Sequence, residues 1–273
     1  EAFIPTPAHS ALSWGFFTVH YYALCILAGI IASLIIGRAR YKRLGGDPDE
    51  ILDIAIVVIP MGIIGGRIYH VITSPDAYFG AGGHPIDALK IWQGGMGIWG
   101  AISLGALSAY VAFRRKRRST TFSTLADALA PTLLIAQGIG RFGNYFNGEL
   151  FGRPSTLPWA LNVPVEKRPH GFEQFATFEP TFLYEALWCF IGAAILTYLS
   201  RYLLRRPGTM FFAYISLYTF GRTWIETQRI DPAHLLLGLR INVWVSGFLF
   251  IWSTWVVFRR TLRPRSASTL DKI

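Results

Sequence analysis

Long apolar runs, broken at short intervals by small basic clusters, organise this chain. A membrane helix needs roughly 20 mainly apolar residues. Seven segments meet that length, at about 17–37, 51–72, 94–113, 122–140, 181–200, 208–226 and 242–259. Asp127, Pro131 and Gln137 interrupt the fourth, and Pro131 is expected to kink or break it there. The third, "GGMGIWGAISLGALSAY", is rich in Gly, Ala and Ser, which let helices approach closely. The pattern predicts an all-α, polytopic membrane protein with seven transmembrane helices, forming a single integral membrane domain over residues 1–273. The first run is too long for a signal-peptide core and lacks a small-residue cleavage site, so it reads as a retained span.

Charge then sets the orientation. Alternate connections holding Arg38–Arg43, Arg114–Arg118, Arg201–Arg206 and the residues from Arg259 onward carry 17 of the 26 Lys and Arg, against 7 in the opposite set. The richer side is cytoplasmic by the positive-inside rule, which puts the N-terminus outside and the C-terminus inside. The longest connection, about 141–180, falls outside and reads as a small ordered external cap. Composition agrees: 52% of residues are hydrophobic and only 15% charged, where a soluble domain has about 25% charged. The net charge of +10 lies in inter-span clusters, so it describes topology rather than a nucleic-acid partner. The two cysteines, Cys25 and Cys189, lie in apolar runs and read as small core residues. No metal-ligand spacing and no P-loop or dinucleotide fingerprint appears, and no cofactor is expected.

Ionisable residues inside a bilayer are costly and face the bundle interior or a wet cavity. Three places qualify. In "GGRIYH", Arg67 and His70 share one helical face. In "GRFGNYFNGELFG", Arg141, Asn144, Asn147 and Glu149 crowd the end of the fourth run. In "GRTWIETQRIDP", Arg222, Glu226 and Arg229 lie at i, i+4 and i+7, on one face if the helix continues that far. An intrahelical Arg222–Glu226 pair with Arg229 snorkelling to the interface is the simpler reading. Three such sites, each with an arginine next to glycine or an acid, favour a phosphate ligand, because the guanidinium fork matches its oxygens. An anionic lipid or phosphorylated ligand follows from the residues alone. His20, just inside the first run, reads first as an interfacial residue.

The stretch Gly140–Gly152 resembles the signature of the prolipoprotein diacylglyceryl transferases, bacterial integral membrane enzymes. Gly140, Arg141, Gly143, Asn144, Tyr145, Asn147, Glu149 and Gly152 meet the pattern, with Tyr145 where phenylalanine is commoner. "VHYYAL", "GGRIYHV", "IWQGGMGIWG", "PTFLYEAL" and "GRTWIETQRID" are similar to the family in the same order. The resemblance implies transfer of diacylglyceryl from phosphatidylglycerol to the lipobox cysteine thiol of a preprolipoprotein, in the bacterial cytoplasmic (inner) membrane. It marks Arg141 and Arg222 as essential and places Tyr22, Asn144, Gly152, Glu149, Glu226 and Arg229 at family positions. Arg67 or Arg229 would hold a second phosphate oxygen or the head-group glycerol.

One departure bears on mechanism. Where many members carry a catalytic histidine in the third span, this chain has Trp99, and an indole has no basic nitrogen to accept a thiol proton. A second is Glu179 before Pro180, where several members have histidine or another polar residue. Glu226, Tyr22 and His20 are the candidate bases, alongside a site that needs none because its arginines ionise the thiol. The competing reading from another class is a transporter or flippase for an anionic lipid, which inverted repeats would favour; no repeat is evident.

Overall fold

The computed structural model describes residues 3–14, 17–80, 82–91, 94–231 and 235–262. Arg263, Arg265 and Lys272 of the basic set, and Trp92, Gln93 and Pro232 of the quoted motifs, lie outside the described residues. The fold is mostly helical. In chain order the helices are α1 (Tyr21–Arg43), α2 (Asp49–Thr73), α3 (Asp76–Phe79), α4 (Ile98–Arg115), α5 (Phe122–Asn147), α6 (Thr181–Tyr198), α7 (Ser200–Leu203), α8 (Thr209–Glu226) and α9 (Ile241–Leu262). Helices α1, α2, α5, α6 and α9 are long and apolar enough to cross a membrane. Helices α4 and α8 are 18 residues long but include Arg114 with Arg115, and Arg222 with Glu226, so their sequence alone is less apolar. Short strands qualify the all-α expectation. They are β1 (Ile4–Pro5), β2 (Ala11–Trp14), β3 (Phe17–His20), β4 (Leu161–Asn162), β5 (Thr177–Phe178), β6 (Leu235–Leu236) and β7 (Leu239–Arg240).

Two compact units divide the chain, residues 38–122 and residues 1–37 with 123–273. In the first, α2 packs on α4 through glycines. A Cβ on Gly65 would overlap the carbonyl oxygen of Gly100, and one on Gly100 would overlap that of Gly65. The two backbones therefore touch at a point where no side chain fits. Gly100→Leu is expected to force α4 away and cost about 1–3 kcal/mol, read by thermal unfolding in detergent. Gly105→Ala, whose nearest neighbours would stand at 3.9 Å, should be nearly silent.

In the larger unit, α5, α6, α7 and α8 enclose a core of Ala130, Leu134, Cys189, Leu196, Leu203 and Met210. Helix α5 runs through Pro131 without interruption, which corrects the expected break. It also extends seven residues past position 140, so Arg141, Asn144 and Asn147 ride on its last two turns rather than in a loop. Asp127, on the first turns of α5, accepts hydrogen bonds from the backbone N–H groups of Gly208 (2.6 Å) and Phe211 (2.9 Å). It thereby satisfies orphan donors at the start of α8. Strands β1, β4 and β5 form a small sheet, with β1 parallel to β4 and β5 antiparallel to it. Phe151, Leu161, Val163 and Phe178 fill its core together with Phe182 of α6. The connection from α5 to α6 thus packs on an apolar cluster that it shares with Phe182, Ile4 and Ile230.

Candidate active site where α5, α6 and α8 meet

The last turn of α8 and the last turns of α5 bring their arginines to one carboxylate on α6. Glu185 pairs through Oε1 with Arg141 Nη2 at 2.8 Å and through Oε2 with Arg222 Nη1 at 3.2 Å. Arg222 uses its other terminal nitrogen on Glu226 Oε2, at 2.6 Å. Glu226 is fully buried. It also meets Arg229 Nη1 at 3.5 Å and Arg240 Nε at 2.9 Å, and accepts a hydrogen bond from Asn242 Nδ2 at 3.2 Å. Asp231 closes the chain with a two-point pair to Arg229 at 2.8 and 2.9 Å and a contact to Arg240 at 2.7 Å. Burial alone would raise the Asp231 carboxyl, but hydrogen bonds and charge from Arg229 and Arg240 outweigh it and hold the group below the ordinary carboxylate range. Its contribution to stability is therefore complete at neutral pH and lost only as pH falls through that lowered value.

Helical spacing explains most of this. Arg222 and Glu226 stand one turn apart, and Gly221 beside them lacks the Cβ that would collide with the Trp188 indole. That indole donates to the Leu217 carbonyl at 2.8 Å and fixes α6 against α8. Helix α8 ends at Glu226, so Arg229 is not on the helical face. It reaches Glu226 from the following turn and is mostly covered and paired rather than snorkelling.

The signature stretch has a second task. Glu149 Oε1 accepts from Asn144 Nδ2 at 3.0 Å and from Asn147 Nδ2 at 3.1 Å, while its backbone N–H donates to the Asn144 carbonyl. Gly148 and Leu150 on either side have φ of 62° and 58°, so the chain leaves α5 through a left-handed turn that the carboxylate ties down. Gly152 then donates its N–H to Glu179 O at 2.8 Å and forms a bridge with Arg229. Arg153 donates to Thr227 O at 3.1 Å. Asn144 also faces Arg141, 3.5 Å away.

The remaining sequence candidates are placed differently. Tyr22 packs its ring on Gly143, where a Cβ would lie 2.6 Å from it, and keeps 38% exposure. His20 is the exposed last residue of β3, not a residue of the first helix. Arg67 and Trp99 belong to the smaller unit. Trp99 is partly exposed on the first turn of α4. Arg67 is buried, with its guanidinium donating to the carbonyls of Asp87, Ala88, Lys90, Gly94 and Gly95. It also lies over the Tyr78 ring at 5.2 Å. A phosphate would have to displace those carbonyls. Arg67→Ala should instead loosen the segment 85–91, seen as faster limited proteolysis there; unchanged cleavage would rule out that role.

Comparison with known proteins gives the family. A family model described as prolipoprotein diacylglyceryl transferase matches residues 9–259. The phosphatidylglycerol–prolipoprotein diacylglyceryl transferase of Bifidobacterium adolescentis is 47% identical over 262 residues, covering 92% of this chain and 77% of that one. Its namesake in Cutibacterium acnes is 49% identical over 239 residues, 88% of this chain and 80% of the relative. In Paenarthrobacter aurescens the figures are 45% over 276 residues, 98% and 86%. The chain belongs to the prolipoprotein diacylglyceryl transferase family. Glu185, Arg240 and Asp231 belong to this ion-pair cluster although the motifs do not single them out. Two signals point to Glu185: it is the lone carboxylate in the apolar run 181–200 and it lies inside "PTFLYEAL".

Proposed function

We propose that this diacylglyceryl transferase takes its lipid group from phosphatidylglycerol and joins it to the lipobox cysteine thiol of a preprolipoprotein in the bacterial cytoplasmic membrane. The observation that carries the reading is the Arg141–Glu185–Arg222 junction, where two guanidiniums from separate helices face one anion. The cysteine thiolate is the nucleophile. Its sulfur bonds to the glyceryl carbon as the carbon–oxygen bond to phosphate breaks, glycerol phosphate leaves, and the thiol proton is released. Negative charge grows on the departing phosphate, and Arg141 and Arg222 stabilise it in a site of low dielectric. The knot of Asn144, Asn147 and Glu149 holds the end of α5, and with it Arg141, in place.

In the membrane, α4 and α8 complete a set of seven spans with the N-terminus outside, the C-terminus cytoplasmic and the β1–β4–β5 module as an external cap. The asymmetry of Lys and Arg supports that orientation. The two charges of α8 are paired within the protein, as ionisable residues in a bilayer require. The head-group site then lies near the outer face, within reach of outer-leaflet lipid. A transporter or flippase is not favoured, since the relatives are named as transferases.

The test is direct. Purified protein incubated with phosphatidylglycerol and a lipobox peptide should add one diacylglyceryl mass to the cysteine. An unmodified peptide, with lipid moving between leaflets instead, would support the transporter.

A further inference from the structure

We propose that Glu185 is the resident counter-anion of the head-group site. Its carboxylate occupies the places on Arg141 and Arg222 that the lipid phosphate takes, and it returns to them as glycerol phosphate leaves. This rests on the reading of those two arginines as phosphate ligands.

Geometry distinguishes Glu185 from the other acid on Arg222. Glu185 spans the two arginines, with Oε1 at 2.8 Å from Arg141 and 3.5 Å from Arg222 and Oε2 at 3.2 Å from Arg222, a bridge that the two free oxygens of a phosphodiester could reproduce. The other contacts of Arg141, to Asn144 and Tyr218, are both 3.5 Å long, so Glu185 is its close anionic partner among the described residues. Glu226 is gripped from the far side by Arg240 and Asn242 and has no exposed surface. An arriving anion therefore exchanges with Glu185, while Glu226 keeps Arg222 in place. The guanidiniums remain reachable, with side-chain exposures of 23% for Arg141 and 14% for Arg222, against 6% for Glu185.

Charge gives the exchange a direction. The ion-paired groups are Arg141, Arg222, Arg229 and Arg240 against Glu185, Glu226 and Asp231, one positive charge in excess. A phosphodiester carries a single negative charge and makes the site neutral. Glycerol phosphate is a monoester whose second ionisation falls near pH 6, so at neutral pH it tips the site to negative excess. Glu185, left without its cations beside that product, competes for the arginines and promotes release. Glu185 is thus a positioning residue in the resting site and a competitor of the phosphate during turnover.

The predicted sign separates this role from simple scaffolding. Glu185→Gln in the purified full chain should lower the inhibition constant of added glycerol phosphate about tenfold, the scale of one charge-assisted hydrogen bond. It should also lower KM for phosphatidylglycerol and reduce kcat, because product leaves slowly. A carboxylate that only holds the arginines apart predicts the reverse, a higher inhibition constant and higher KM, and that result overturns the proposal. Should the glutamine variant fail to fold, Glu185→Asp keeps the charge on a shorter arm and should shift both constants downward by less; a rise overturns the proposal equally. Arg141→Ala separates the two layers of the argument. If it leaves glycerol phosphate inhibition unchanged, the phosphate reading of the arginines fails. If it abolishes inhibition while Glu185→Gln weakens it, the counter-anion role alone fails.

Discussion

Arg222→Ala is expected to reduce diacylglyceryl transfer about 100- to 1000-fold, the usual loss when one preorganised donor to a developing anion is removed. Arg222 bridges Glu185 at 3.2 Å and Glu226 at 2.6 Å. Its removal takes away a proposed phosphate ligand and leaves both acids short of a cation. Arg222→Lys should recover little, since an ammonium is a point charge that cannot present two forked edges to two partners. Arg141→Ala should fall in the same range. Transfer measured in membranes containing each variant at matched protein levels decides the matter, and near-normal rates in both would end the phosphate assignment.

The second large effect is on folding. Glu226→Ala should destabilise the protein by about 3–5 kcal/mol, because it strands three partly buried guanidiniums around one fully buried, vacated position. Arg222, Arg229 and Arg240 all meet that carboxylate. Thermal unfolding in detergent, compared with Glu226→Gln, reads the charge contribution separately from shape. The same glutamine variant addresses chemistry. Both Glu226 oxygens face arginines, so neither can take a proton from a thiol without giving up a pairing. Near-normal transfer by Glu226→Gln would remove Glu226 from the candidate bases.

The apolar runs made the long helices legible, because burial in lipid or protein requires an uninterrupted apolar face and a backbone that satisfies itself. Their edges were less so. Helix α5 outruns its apolar segment by two turns because Arg141, Asn144 and Asn147 find polar partners that sequence spacing cannot reveal. Proline at 131 did not stop it, since flanking packing sustains a helix whose one missing donor is tolerable. The role of Arg67 was legible as burial of a charge but not as its destination. Its partners are main-chain carbonyls, which every residue owns and no motif advertises. Glu185 lay inside a family-like stretch, yet its function depends on two arginines 44 and 37 positions away. Only folding makes those distances 2.8 and 3.2 Å.

Asp127 sets a depth gauge for the site. Arg141 lies fourteen residues beyond it on α5, and Arg222 lies fourteen residues beyond Gly208, the first of the two residues whose N–H groups Asp127 receives. At about 1.5 Å of rise per residue, both arms are about 21 Å long. Two helices joined at one end through Asp127 and counted equally deliver their arginines to the same carboxylate, Glu185. One residue inserted in either arm would lift its arginine by about 1.5 Å and swing it about 100° around the axis, so the length of the arm is as much a part of the site as the arginine at its end.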